Sequence, residues 1–228
     1  PNGAGKTTLM RFISGRLRGA QTNAERVVML TQNPGLPTTA TVRQALTMVT
    51  TTPTTTAEAL DLFDSAPAVE PDFMIGTWRG AELPTDHPLD GFLAASGWWG
   101  KQFVDAETVH PLLFPTRDGS ALWAMNPAIA FGGLGIAEKA PGVKSLSLGT
   151  PIAATRLLSQ TRRARARLRT TRYRGTDTAT MSYDQLPIND VFHRISDDAV
   201  LGAMDLKGSP KPYFFVLRRD DSLRLVGH

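Results

Sequence analysis

Between Arg163 and Arg169 the chain alternates a cation with a small apolar residue. Arg163, Arg165, Arg167 and Arg169 interleave with Ala164, Ala166 and Leu168. A period of two marks a β-strand, because successive side chains point to opposite faces of a sheet. This strand therefore has a cationic face and a small apolar face. Residues 173–183 continue in the same period and are rich in Thr, and residues 199–206 and 213–217 read as further short strands, the last apolar on both faces. Turn residues separate them at Asp197-Asp198, Lys207-Gly208-Ser209-Pro210 and Asp220-Asp221. Several short strands after a short helix predict an α+β chain, mainly antiparallel β, with a small barrel-like curved sheet and short helices. A parallel α/β sheet does not fit this order. Small barrels can hold one ligand in their mouth.

The helix is announced by Thr55 and Glu58, spaced as a capping box ahead of residues 57–65, where Leu60 and Phe63 fall on one side and Pro67 stops the run. Gly76-Thr77-Trp78-Arg79-Gly80 follows. Glycine at both ends of a Trp-bearing extended segment predicts close backbone approach, with the ring plugging one end of a core.

With 228 residues, 41% of them hydrophobic and 20% charged, the chain can bury a core. A mean hydropathy of -0.16 and the lack of a long apolar run exclude a membrane-spanning helix. The absence of cysteine removes disulfides, zinc–thiolate sites and Cys nucleophiles together. It fits a reducing compartment, and no secretory leader opens the chain, so a cytoplasmic location is expected.

The front of the chain speaks a different chemistry. Pro1-Asn2-Gly3-Ala4-Gly5-Lys6-Thr7-Thr8-Leu9 has the wording of a phosphate loop. Its glycines would let backbone N–H groups curl round phosphates, Lys6 would reach the β and γ groups, and Thr7 would ligate Mg²⁺. These residues, with Val27-Val28-Met29-Leu30-Thr31-Gln32, resemble the ATP-binding subunits of ABC transporters, where Gly3, Gly5, Lys6, Thr7, Thr8 and Gln32 would be the nucleotide-binding set. Lys6 and Gln32 stand closer together than in that family, and neither its signature sequence nor a metal-holding Asp-Glu strand follows. Residues 1–47 are therefore expected to be a vestigial fragment without ATPase activity, and ATP with Mg²⁺ enters only if the loop functions. Residues 48–56 form a Thr-rich linker, and Met48 at its head is expected as the natural start.

Two stretches carry a second resemblance. The first holds the Gly76-x-Trp78-x-Gly80 segment with Asp86-His87-Pro88-Leu89-Asp90-Gly91 and Gly97-Trp98-Trp99-Gly100-Lys101-Gln102-Phe103. It resembles the GXWXG domain family, over residues 57–140. The other holds Tyr173-Arg174-Gly175, Tyr183-Asp184-Gln185-Leu186-Pro187-Ile188-Asn189-Asp190, Met204-Asp205-Leu206-Lys207-Gly208 and Leu217-Arg218-Arg219. It resembles that family's companion, the domain of unknown function DUF4334, over residues 141–228. The two are expected to form one folded module. The Gly-x-Trp opening also resembles lipocalin-type and nitrobindin-type barrels. That likeness implies a structural closure in which Gly76 and Gly80 flank Trp78 and either Arg218 or Arg219 stacks on its ring, a cation–π contact worth roughly 0.5–2 kcal/mol.

The function expected is non-enzymatic binding of a small hydrophobic or amphipathic, lipid-like ligand, possible at an anionic surface. Trp98, Trp99, Tyr183, Asp184, Asp190 and Asp205 are the candidate ligand contacts. Asp184 and Asp190 flank a turn that they could instead cap. Paired carboxylates suit acid–base work, but no nucleophile, metal set or oriented His accompanies them, so no catalytic residue is assigned. Arg163, Arg165, Arg167 and Arg169 either form a solvated face or touch an anion, a phospholipid or an anionic membrane. Nucleic acid would ask for interleaved exposed aromatics, and only Tyr173 qualifies. His87, His110 and His193 lack metal-ligand spacing, so no metal is expected. Under the nitrobindin likeness His193 would be the single haem ligand, and no cofactor is expected otherwise.

Overall fold

The computed structural model describes residues 55–130 and 152–226. The phosphate-loop residues Gly3, Gly5, Lys6, Thr7, Thr8 and Gln32, and most of the Thr-rich linker, lie outside them. Helix α1 (Thr56–Ser65) opens on both halves of the capping box. The Thr55 hydroxyl accepts from the Glu58 N–H at 3.3 Å, and the Glu58 carboxylate accepts from the Thr55 N–H at 3.0 Å. Two orphan donors of the first turn are thereby satisfied. Helix α2 (Pro71–Met74) is a single turn begun by proline, whose missing N–H costs nothing at that position.

The strands are β1 (Gly76–Leu83), β2 (Gly100–Phe103), β3 (Val109–Pro115), β4 (Leu122–Ala124), β5 (Ala166–Tyr173), β6 (Thr176–Tyr183), β7 (Ile188–Ser196), β8 (Ala199–Leu206) and β9 (Tyr213–Arg219). They pair in the order β2-β1-β9-β8-β7-β6-β5-β3-β4. An additional β2–β3 pairing joins the two ends of the series, so the sheet curves into a ring with β4 attached to β3. Every pairing between these strands is antiparallel. The thinnest seam is β3–β5, held by the single register pair Val109 and Ala166. Strands from both sequence stretches share this one sheet, since β1 runs beside β9 over six register pairs from Trp78 and Arg219 to Leu83 and Phe214.

The sheet is apolar on both faces where α1 covers it. On β9, Tyr213, Phe215 and Leu217 point into the ring, while Phe214 and Val216 point out beneath Ala59 and Phe63 of α1. That is why this strand reads as a continuous apolar run rather than an alternation. On β5 Ala166 and Leu168 turn inward, and Arg167 and Arg169 between and beside them face out.

Two sequence expectations are corrected here. The strand begins at Ala166 rather than Arg163, and residues 173–183 are not one continuation. The chain reverses at Arg174 and Gly175, whose φ values of 49° and 87° place both in the left-handed region. Tyr173 then pairs with Thr176 across a two-residue turn. Arg is an unusual first residue for such a turn, so no Asn-Gly or Asp-Gly signal marked it.

The Gly-x-Trp-x-Gly segment sits on β1, and each residue has a distinct packing role. Trp78 is fully buried and its indole N–H donates to the Met74 carbonyl at 2.6 Å. The Arg219 guanidinium lies 4.3 Å from the Trp78 ring centroid and donates to the Phe73 carbonyl at 2.7 Å. Arg218 turns the other way, toward Asp198 at 3.4 Å. A Cβ on Gly76 would stand 2.5 Å from the Arg219 guanidinium nitrogen, and one on Gly80 would stand 2.1 Å from the Trp98 ring. The glycines are therefore gaps into which a cation and a second indole fit.

Candidate functional site

Inside the ring, the inward-facing residues of β2, β3, β6, β7, β8 and β9 leave a cavity of about 40 Å³, admitting a few water-sized bodies at ~10–15 Å³ each. Its walls are mostly apolar: Leu112, Phe114, Met125, Met204 and Phe215 line it. Leu89, Phe92 and Leu93 close it from the segment between β1 and β2, which carries the short helix α3 (Phe92–Ser96).

One charged pair is set into this apolar lining. The Lys101 ammonium lies 2.8 Å from the Asp190 carboxylate, with side-chain exposures of 3% and 1%. Lys101 also donates to the Pro111 carbonyl at 3.2 Å and the Tyr183 hydroxyl at 3.4 Å. The rings of Trp98, Tyr183 and Phe215 surround its ammonium at 5.1–5.7 Å. Burial pushes the Asp190 carboxyl above the usual carboxylate range, and Lys101 beside it opposes that rise. Burial and the neighbouring carboxylate push the Tyr183 phenol well up, so it stays protonated. Such a pair survives in a low-dielectric interior because each charge is the other's solvent.

The segment covering the cavity is pinned by carboxylates. Glu82, buried on β1, accepts from the Gly91 N–H and from the Ala94 N–H at 3.4 Å. Asp90 accepts from the N–H groups of Thr85 and His87, both at 2.9 Å. His87 packs edge-on to Tyr213 with ring centroids 5.3 Å apart, and burial lowers its imidazole pKa. Gly97 ends α3 in the left-handed conformation at φ 73°, which turns Trp98 back into the ring. Burial pushes the Tyr213 phenol up, and the Glu82 carboxylate adds to the rise.

Of the candidate ligand contacts, Trp98, Tyr183 and Asp190 come together on the cavity wall. The other three do not. Trp99 follows Trp98 by one residue and so faces outward, packing with Leu113, Leu122 and Ala124. Asp184 is at the surface, 3.1 Å from Arg167, and Asp205 is exposed on β8. The site residues that sequence reasoning missed are Lys101, Tyr213, Phe215 and the covering residues Leu89, Phe92 and Leu93. Lys101 was findable: it alternates with Phe103 on one strand, as Asp190 does with Phe192, and a lysine on an apolar face demands a buried acid.

Half of the arginine row is paired, as are two arginines beyond it. Arg167 meets Asp184, Arg169 meets Glu107, Arg172 meets Asp177 and Arg174 meets Asp64. Arg163 is exposed and Arg165 half-buried. His193 lies on the outer face under α1, stacked on Phe63 at 4.0 Å, with its Nδ1 2.7 Å from the Phe63 carbonyl. It does not reach the cavity, so the haem contact drawn from the nitrobindin likeness has no counterpart there. Among the described residues no three His, Cys, Asp or Glu side chains are grouped as metal ligands, and no helix is long and apolar enough to cross a membrane.

Comparison with known proteins places this geometry. Residues 61–119 match the model described as GXWXG protein, and residues 164–219 match the domain of unknown function DUF4334. A crystal structure of a protein from Thermomonospora curvata is 35% identical, covering 72% of this chain and 86% of that one, with a TM-score of 0.52. The chain carries a GXWXG domain and a DUF4334 domain. Within it, the GXWXG part supplies β1, the cavity cover and Lys101, and the DUF4334 part supplies Tyr183, Asp190 and Phe215. The buried ion pair thus bridges the two matched regions. Neither model reaches the phosphate-loop segment, and no curated protein matches the chain.

Proposed function

We propose that the ring acts as a small barrel that binds one hydrophobic or amphipathic molecule, without chemistry of its own. The observation that carries this reading is a cavity with apolar walls into which one buried charged pair, Lys101 and Asp190, is set. A pair of this kind costs desolvation energy, and a folded core would be as stable with apolar residues of similar volume in its place. Its presence in an otherwise apolar cavity supports a recognition role. The lining Ser96 hydroxyl donates to the Leu93 carbonyl at 2.8 Å, so it is occupied in the cover rather than poised as a nucleophile. The present cavity is smaller than a drug-sized ligand needs, typically ~300–1,000 Å³, so entry requires the cover carrying Leu89, Phe92 and Leu93 to swing outward. The phosphate-loop segment plays no part in this reading.

The test is native mass spectrometry of the full chain purified without detergent, followed by titration with octane and 2-octanone. A bound small molecule released on denaturation, or micromolar binding of either compound, is expected. Leu112→Trp, which fills the cavity, should abolish it. Failure of the wild-type chain to carry or take up any apolar molecule would sink the reading.

A further inference from the structure

Of the buried polar groups on the cavity wall that lack a hydrogen-bond partner, the Trp98 indole N–H is the one that can only donate. The Trp98 indole N–H is buried and has no hydrogen-bond partner among the described residues, although the side chain is only 8% exposed. Its orientation is fixed by Gly80: the Cε3, Cζ3 and Cη2 atoms of the six-membered ring press on β1 there. The pyrrole N–H therefore sits on the far side of the ring from β1. The same ring packs edge-on to Phe215 and lies 5.3 Å from the Lys101 ammonium, both on the cavity wall. A buried donor left without an acceptor forfeits the hydration it had in the unfolded chain. An acceptor delivered by a ligand restores that loss at the moment of binding.

The charged groups then restrict what the acceptor can be. Lys101 is matched by Asp190 at 2.8 Å, and the next buried carboxylate, Glu82, is met by two amides of the cavity cover. A ligand carboxylate would set a second buried acid against a lysine already paired. A ligand ammonium would compete with Lys101 for Asp190. Either brings a net charge into an apolar enclosure that has no free counter-charge for it.

Building on the ligand-binding reading above, we infer that the cavity selects an uncharged molecule with a hydrogen-bond acceptor, of the ketone or ester class, and that the Trp98 indole N–H recognises the acceptor. Fatty acids, amines and phospholipid headgroups are selected against.

The experiment titrates the full, ¹⁵N-labelled chain with four compounds of matched length: 2-octanone, octane, octanoate and octylamine. Dissociation constants come from calorimetry, and the Trp98 indole resonance is assigned by its loss in Trp98→Phe. The ketone should bind about tenfold more tightly than octane, the value of one hydrogen bond to an otherwise unpaired donor. It should bind about a hundredfold more tightly than octanoate or octylamine. The indole proton should move downfield with the ketone and stay in place with octane. Trp98→Phe should bring the ketone down to the affinity of octane. The wild-type indole shift gives the same answer should the variant fold poorly. Octanoate or octylamine binding as tightly as the ketone overturns the inference while leaving the cavity reading intact, as does a ketone no tighter than octane. Uptake of none of the four removes the cavity reading and this inference with it.

Discussion

The inside of the ring and its arginine-bearing outer face each use a cation–carboxylate pair, to opposite ends. Inside, Lys101 and Asp190 are almost wholly buried, and three aromatic rings surround the ammonium. Outside, Arg167 and Asp184 also form a pair, at 3.1 Å, yet their side chains are 50% and 36% exposed. Water screens the outer pair and can replace either partner. Nothing can replace a partner inside. A cation–carboxylate contact therefore says little about energy until its burial is known.

The sharpest way to break this comparison is to remove one partner of the inner pair. Asp190→Ala should cost about 3–5 kcal/mol in urea unfolding, because it strands a buried ammonium. The double variant Lys101→Met with Asp190→Leu should regain most of that loss, since volume is kept and no charge is left unpaired. A double variant no better than Asp190→Ala would show that the pair holds the ring together rather than serving what enters it.

A second test compares glycines on the two sides. Gly80→Ala places a Cβ 2.1 Å from the Trp98 ring and should cost about 1–3 kcal/mol through overpacking. It should also displace Trp98 and perturb its indole resonance. Gly175→Ala, at the outer hairpin, meets no atom within 4 Å and pays only for φ 87°, about 1–2 kcal/mol. Trp98 should not sense it.

Acid titration separates the faces by sign. Burial raises the Asp190 carboxyl pKa above the ordinary aspartate value of 3.8, while the Arg172 hydrogen bond lowers that of Asp177 below the same value. In ¹³C carboxyl spectra Asp190 should titrate above 3.8 and Asp177 below it. The linkage follows the same signs. Ionised Asp177 supports the fold above 3.8, and that support is lost as pH falls through its lowered value. Ionised Asp190 carries a burial cost that Lys101 offsets only in part, and that cost is relieved as pH falls through its raised value. Titration of both on the same side of 3.8 would break the distinction.

How far the sequence anticipated this can be told from neighbouring residues. The capping box at Thr55 and Glu58, the strands 199–206 and 213–217 and the plug at Trp78 are encoded locally, in spacing and residue type, and so were legible. Arg174-Gly175 was not, because the turn type rests on two positive φ values for which Arg gives no signal. The cavity wall was legible only in part. Trp98 and Trp99 are adjacent and chemically alike, and one residue of register decides which faces the ligand space. Lys101 and Asp190 lie 89 positions apart and meet only because β1 joins β9 while β2 joins β3. Ring closure is a long-range property, and no short window of sequence carries it.

The smallest effect expected is also the most direct check, because it compares neighbours on one strand. Arg167 points out of β5 and Leu168 points in, fully buried beside Met181 and Ala166. Arg167→Ala should cost between about 0 and 1 kcal/mol, and that cost should fade in high salt as the exposed pair with Asp184 is screened. Leu168→Ala should cost about 2–5 kcal/mol and ignore salt, since it leaves a void in a packed interior. Read by urea unfolding at low and high ionic strength, the two variants isolate the face from the strand. An Arg167→Ala loss as large as that of Leu168→Ala, and as indifferent to salt, would mean that the outer row is a packed surface rather than a wet one. The division between a recognising inside and a solvated outside would then have to be abandoned.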